Sequence, residues 1–215
     1  MKENDTPTRQ ESENRQTQAQ VRIVVDSRLR PLFYQFLGQG FRIYTQTGCS
    51  IKELLCTHLG IAPDYLEGRI QTIFLNSQPV DRIEDAIVED KVSLALSGPM
   101  PGLAGATMRR GGFYASMRRQ ISYDQNPLST AAGTGEITIK LFNIVAKELG
   151  PHFLQNGIWI AGENFQDFIR RYPHELKAGC RSIELDGNHL EATDLPSVDW
   201  SSKAVFLRVT SEQIE

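Results

Sequence analysis

The chain has 215 residues, which is enough for one large domain or two small ones. Its composition is 40% hydrophobic and 23% charged, and the formal net charge of −3 gives no overall attraction to nucleic acid or to an anionic membrane. No apolar run approaches the ~18 residues of a transmembrane helix, and the N-terminus lacks the apolar stretch of a signal peptide. Three cysteines do not make a disulfide framework, so we expect a cytoplasmic protein.

Residues 1–20 contain almost nothing to bury, because Glu, Gln, Asn, Thr and Arg dominate them. Such a composition cannot offset the entropy of ordering a chain. We predict a disordered tail over residues 1–20.

Residues 21–97 carry the pattern of a first domain. Ser50 is a candidate helix N-cap and Glu53 completes a capping box, ahead of a helix with an apolar face. Apolar and alternating runs predict strands on both sides of this helix, at Val21–Val25, Phe41–Tyr44, Thr72–Leu75 and Lys91–Leu96. The first two of these strands should form a hairpin that precedes the helix.

Residues 136–211 repeat the same order. Asn164 is a candidate cap for a helix, and Asp186-Gly187 is a tight-turn signal. Strands are predicted at Ile137–Leu141, Gly157–Ile160, Ser182–Leu185 and Lys203–Val209. Phe36-Leu37 with Gly40 matches Phe153-Leu154 with Gly157, which indicates a duplicated domain.

The fold class predicted from this order is α+β, with two β-grasp (ubiquitin-like) domains, each a mixed sheet wrapped on one main helix. Residues 98–135 lie between the two domains and are rich in Gly, Pro and Arg. That composition is typical of a connecting segment, so we predict a linker there.

Two stretches resemble one branch of the β-grasp proteins. Residues 139–150, IKLFNIVAKELG, resemble the opening of the sulfur carriers, which include the molybdopterin-synthase small subunit and the thiamine-pathway carrier. Residues 75–80 and 88–94 resemble that branch's end, and Pro99-Met-Pro-Gly102 its proline–glycine terminus. The resemblance implies a carrier that is adenylated at a C-terminal Gly-Gly by an activating enzyme.

The position of Gly-Gly departs from that family. The chain ends at Glu215 without glycine, and the ubiquitin-like Gly111-Gly112 is internal. A carrier terminus would therefore require a protease to cut after Gly112. A pair of glycines in a glycine-rich linker is the simpler interpretation.

An Arg-rich cluster with aromatic residues surrounds this Gly-Gly. Its members are candidate contacts for a partner protein or for an anion, namely Arg109, Arg110, Phe113, Tyr114, Arg118 and Arg119. We expect the cluster to dock on a partner or on a domain. Nucleic acid is a weaker candidate because the chain is acidic overall.

Sequence motifs give no support for catalysis, a metal or a cofactor. Cys56 and His58 sit two apart on a predicted helix and face different directions, and no other pair has the spacing of a metal site. Phosphate-loop, dinucleotide and nucleophile-elbow motifs are absent. We therefore expect a non-enzymatic tandem ubiquitin-like protein that binds other proteins. The alternatives are a sulfur carrier or modifier released after Gly112, and an anion-binding regulator that uses the linker.

Overall fold

The computed structural model describes residues 18–118, 121–123 and 132–212, and its class is α+β, as expected. The described residues form two compact units. Unit 1 combines residues 18–33 with residues 151–212, and unit 2 is the intervening stretch Tyr34–Gly150. Unit 1 thus combines two separate segments of the chain, and unit 2 is one continuous segment.

The elements of the first half follow in chain order. The strands are β1 (Gln18–Asp26), β2 (Phe41–Thr47), β3 (Cys49–Ser50), β4 (Thr72–Leu75), β5 (Gln78–Pro79), β6 (Ile87–Val88) and β7 (Ser93–Ser97). The helices are a 3₁₀ turn Arg30–Phe33, α1 (Tyr34–Gln39), α2 (Ile51–Glu53, continuing as a π turn over Leu54–His58) and α3 (Pro63–Arg69).

The second half continues the numbering. Its strands are β8 (Gly133–Phe142), β9 (Ile158–Ala161), β10 (Cys180–Leu185), β11 (Asn188–His189) and β12 (Ala204–Glu212). Its helices are α4 (Gly102–Met108), α5 (Asn143–Asn156), α6 (Gly162–Arg171) and α7 (Pro173–Gly179), with 3₁₀ helices at Phe113–Arg118 and Leu195–Ser197.

In unit 2, five strands run in the order β2-β8-β7-β4-β5. Strand β8 is antiparallel to β2 and parallel to β7, and Ile139 of β8 is in register with Phe41 on one side and Leu94 on the other. Strand β4 is antiparallel to both β7 and β5. Helix α2 buries Ile51 and Leu54 in this unit's core. It begins as predicted, because Ser50 Oγ accepts a hydrogen bond of 3.1 Å from the Glu53 backbone N–H.

In unit 1, five strands run in the order β9-β12-β1-β10-β11. Strand β1 is parallel to β12 and antiparallel to β10. Helix α6 buries Phe168 against Phe33, with ring centroids 4.8 Å apart. This helix begins at Gly162 rather than behind Asn164, since the Gly162 N–H donates to Lys203 O and a Cβ on Gly162 would meet Trp200 O at 1.8 Å.

The strand pairing differs from the hairpin expected for β1 and β2. Strand β1 pairs with β10 and β12, while β2 pairs with β8. The strands themselves lie where the sequence predicted them, but alternation of residues gives no information on which strand is the neighbour. Residues 18–20 of the predicted tail belong to β1, residues 133–135 of the predicted linker belong to β8, and the rest of the tail lies outside the described residues.

The helix ends that lead into β2 in unit 2 and into β9 in unit 1 match each other. Gly40 and Gly157 both have positive φ, at 112° and 100°, and each ends a helix immediately before a strand. The Gly40 N–H donates to Phe36 O at 3.1 Å, and the Gly157 N–H donates to Phe153 O at 2.9 Å. These are the helix-ending bonds that favour glycine.

The units also share their tight turn. Asn76 Oδ1 accepts a hydrogen bond from the Ser93 N–H in unit 2, and Asp186 Oδ1 accepts one from the Gln20 N–H in unit 1, both at 2.8 Å. Asn76 and Asp186 both have positive φ. The turns correspond, but their donors lie at different places in the proposed repeat, since Ser93 is in β7 and Gln20 is in β1.

The pairing predicts that fragments 1–123 and 132–215 depend on each other for folding. Fragment 1–123 lacks β8, which pairs with β2 and β7, and fragment 132–215 lacks β1, which pairs with β10 and β12. We expect the co-expressed fragments to purify together and to unfold cooperatively, as measured by affinity capture of a tagged 132–215 and by circular dichroism. Replacing buried Ile139 (Ile139→Lys) should abolish capture. A 1–123 fragment that folds cooperatively by itself would contradict the pairing.

Candidate interaction surface

The connection between β7 and β8 is the candidate site. These strands are parallel neighbours in unit 2, so the chain must cross back between them over a dozen residues or more. Residues 98–132 make this crossover, and we call them the crossover segment. Its described part holds helix α4 and the 3₁₀ helix Phe113–Arg118, which contact each other.

The crossover segment is hydrogen-bonded to the β4–β5 end of unit 2. The Arg110 backbone N–H donates to Gln71 O at 2.8 Å, next to β4. The Tyr123 N–H donates to Pro79 O at 3.0 Å, at the end of β5. The segment therefore occupies backbone groups at the end of the strand order, where open edges invite pairing with other chains.

Arg118 anchors the segment from a buried position. Its side chain is 2% exposed, and its guanidinium donates to Asp81 Oδ1 at 2.6 Å. The same guanidinium donates to Thr107 O at 2.7 Å and to Ser122 Oγ at 2.8 Å. A buried cation needs such a full set of partners, because an unpaired charge in the interior is costly. Arg118 thus ties Thr107 and Ser122 of the crossover segment to Asp81, which lies outside the segment.

Arg110 and Gly111 add a second attachment. Arg110 Nη2 donates to Glu67 Oε2 at 3.0 Å, and its side chain is 12% exposed. The Gly111 N–H donates to Asp81 Oδ1 at 3.1 Å, so Asp81 accepts from both attachments. Of the four predicted arginines, Arg110 and Arg118 are paired with carboxylates, Arg109 is exposed, and Arg119 lies outside the described residues.

Gly111 and Gly112 lie in a turn. Gly111 has φ of +61°, a left-handed conformation that favours glycine. The Gly112 N–H donates to Arg109 O at 3.2 Å, and Gly112 O accepts from the Ala115 N–H at 2.9 Å. The chain reverses at this Gly-Gly and enters the 3₁₀ helix.

Most of the exposed large apolar side chains of the described residues lie on the crossover segment. Of the seven large hydrophobic side chains that are exposed in the described residues, five lie here. We call these five the apolar patch, and they are Leu103, Phe113, Tyr114, Met117 and Ile121. Phe113 is 89% exposed and Met117 is 71% exposed, and the Phe113 and Tyr114 rings meet edge to face at 5.2 Å. Exposed apolar groups concentrated in this way mark interaction sites.

An open cleft of about 430 Å³ lies beside the segment and is polar. Glu67, Asp81 and Glu84 line it together with Arg109 and Arg110. A backbone hydrogen bond and the Lys52 ammonium hold the pKa of Glu84 below its ordinary value, so Glu84 is an anion at neutral pH. The neighbouring Asp85 is ion-paired with Arg82. The cleft is therefore lined by charged side chains of both signs.

Two of the three cysteines are held as thiols by burial. Burial raises the pKa of the Cys49 thiol, and it raises that of Cys180 to about 11, so both thiols stay protonated at neutral pH. Within the described ranges, no three His, Cys, Asp or Glu side chains are grouped closely enough to hold a metal ion. The described helices also include none that is long and apolar enough to cross a membrane.

Comparison with known proteins gave no relative: no protein-family model, no curated protein and no solved structure matches this chain.

The sequence predicted residues of the crossover segment that form this site, but not the acceptors that bond to them. It named the arginines, the Gly-Gly and the two aromatic residues, and the structure brings the described ones together on the crossover segment. It missed the acceptors Glu67, Gln71 and Asp81, and the patch residues Leu103, Met117 and Ile121. The absence of any acidic residue between Lys91 and Tyr123 was a usable signal, because buried arginines there must find carboxylates elsewhere in the chain.

Replacing Arg118 should loosen the crossover segment. In Arg118→Met, Asp81 and Thr107 O lose their donor, and we expect a loss of about 2 kcal/mol in the free energy of unfolding, less than for a fully buried pair because Asp81 is part-exposed. Denaturant titration measures it. Arg109→Met is the matched control, an exposed arginine in the same segment, and should change stability by less than about 0.5 kcal/mol. Equal effects of the two substitutions would contradict the anchoring role of Arg118.

Proposed function

We propose that this protein is a non-enzymatic tandem β-grasp protein that binds a partner protein through the apolar patch. The carrying observation is that five exposed apolar side chains sit on a segment that buried Arg118 and part-buried Arg110 fix beside β4 and β5. A fixed surface loses little conformational entropy on binding, which favours affinity. Aromatic residues and methionine are the side chains most enriched in protein interfaces.

The strand order supports the β-grasp part of the proposal. In unit 2, parallel strands β7 and β8 are central, with antiparallel β4 and β2 outside them. In unit 1, parallel strands β1 and β12 are central, with antiparallel β10 and β9 outside them. Each unit also packs a helix with a buried apolar face, α2 or α6. Central parallel strands and one main helix are the β-grasp features that support this proposal, with β8 beside β2 where the sequence predicted β1.

Release of a sulfur carrier or modifier after Gly112 has less support. The Gly112 carbonyl is hydrogen-bonded within a turn, whereas proteases bind their substrates as extended strands. A cut there would also separate β8 from β2 and β7, its partners in unit 2. An activating enzyme would then receive a fragment that lacks a central strand.

Anion binding by the linker also has less support. Arg110 and Arg118 already neutralise Glu67 and Asp81, so an incoming phosphate would have to displace these carboxylates. Arg109 is the exposed arginine of the described segment. One exposed cation gives weak attraction at physiological salt.

Binding through the apolar patch is tested by replacing its two most exposed members. Phe113→Ser/Met117→Ser should lose the partner, because truncating central apolar anchors costs about 2 kcal/mol each, or roughly 30-fold in affinity per residue. The measurement is quantitative mass spectrometry of proteins captured by the tagged chain from its native cells, followed by titration of the purified partner.

Tyr44→Ser is the matched control, since Tyr44 is 61% exposed on β2, at the far end of the strand order from β5. The partner should bind this variant as it binds the unchanged chain, and the thermal midpoints of both variants should stay close to that of the parent. If every captured protein binds the Phe113/Met117 variant with unchanged affinity, the apolar patch is not the binding surface.

A further inference from the structure

The two units share a helix and strand edge that can be compared position by position. Helix α3 with β4–β5 in unit 2 matches helix α7 with β10–β11 in unit 1: each helix starts with proline and buries one leucine, Leu66 or Leu176. The residue after each second strand bonds back identically, Val80 N–H to Ile73 O and Leu190 N–H to Ile183 O, both at 2.9 Å. The two edges therefore correspond in these helix and backbone contacts.

In unit 2 this edge is covered by the crossover segment. Arg110 and Gly111 lie along it, with the Arg110 N–H on Gln71 O and the Gly111 N–H on Asp81. The floor beneath is closed from solvent, since Ile70 is 0% and Val80 is 2% exposed. In unit 2, the crossover segment therefore covers this edge.

In unit 1 the matching edge is open. The residues at the positions of Ile70 and Val80 are Cys180 and Leu190, and both are partly exposed. They line a groove of about 220 Å³, which we call the edge groove and which also includes Lys177, Arg181, Ile183, His189 and Glu191. Among the described residues outside the strands, no backbone N–H donates to Arg181 O or His189 O, the counterparts of Gln71 O and Pro79 O.

The charges of the two edges differ. Lys177 stands in unit 1 where Glu67 stands in unit 2, and Arg181 stands in the place of Gln71. Lys177 is exposed, and Arg181 reaches Asp26 only at 3.7 Å, while Arg28 is 3.1 Å from the same carboxylate oxygen. Glu191 keeps the acidic character of Asp81 and is paired with His189. The edge groove is therefore basic at the position where the unit 2 edge is acidic.

We propose that the edge groove binds an extended peptide segment of a partner protein, with a carboxylate side chain placed where the crossover segment has Arg110. Its backbone pairs with Arg181 O and His189 O, the counterparts of the two carbonyls that the crossover segment bonds in unit 2, which is a common mode of peptide recognition. Its carboxylate pairs with Lys177, and its apolar neighbours cover Cys180 and Leu190. This second surface belongs to unit 1 and goes beyond the function proposed for the apolar patch.

The covered edge of unit 2 supplies the probe. Two peptides with the sequence of residues 107–118 are compared, one unchanged and one with Arg110→Glu, by titration into the ¹⁵N-labelled full chain. The Arg110→Glu peptide should shift the amide signals of residues 177–191 and bind at least about threefold more tightly than the unchanged peptide, the size expected for one exposed ion pair. The Lys177→Glu chain should reverse this preference.

Lys147→Glu is the matched control, because it makes the same charge change at an exposed residue of unit 2 and should leave the preference as it is. Lys177 is exposed, so its replacement does not disturb the core. Equal binding of the two peptides, shifts outside residues 177–191 or no effect of Lys177→Glu would overturn the proposal. Groove signals that change with protein concentration alone would also overturn it, since a second copy of this chain would then be the occupant.

Discussion

The parallel pairing of β7 with β8 is the constraint from which the rest of unit 2 follows. Two parallel neighbours cannot be joined by a tight turn, so residues 98–132 have to cross back between the ends of the strands. A crossover that stayed in solvent would leave the β4–β5 edge open. The crossover bonds to Gln71 O and Pro79 O. It therefore joins β7 to β8 and covers the β4–β5 edge at the same time.

Asp81 holds the crossover segment in place. It accepts from the Gly111 N–H in the turn and from Arg118 at the end of the following 3₁₀ helix, so one carboxylate holds the segment at two points. The polar contacts of the crossover segment face unit 2, and its apolar side chains are left outside. The described part of a segment that looks like a flexible connection by composition is therefore hydrogen-bonded in place beside β4 and β5.

Local signals in the sequence predicted the local structure. Ser50 caps its helix, Asp186-Gly187 turns between β10 and β11, and the main strands lie where the apolar patterns place them. These signals did not predict which strands pair. Alternation in β1 buries the same residues whether the neighbour is β2 or β12, so only long-range contacts decide between the two neighbours. The start of α6 depends likewise on Lys203, which is distant in sequence and whose carbonyl accepts from the Gly162 N–H.

Backbone hydrogen exchange of the unaltered chain most directly tests whether the crossover segment is docked on the β4–β5 end of the unit 2 sheet. The Arg110 and Tyr123 N–H groups are bonded to Gln71 O and Pro79 O, so docking should slow their exchange well below that of an unstructured peptide. The account predicts that these two amides are protected together with those of β4. Exchange of both amides at the rate of an unstructured peptide, with β4 still protected, would contradict it.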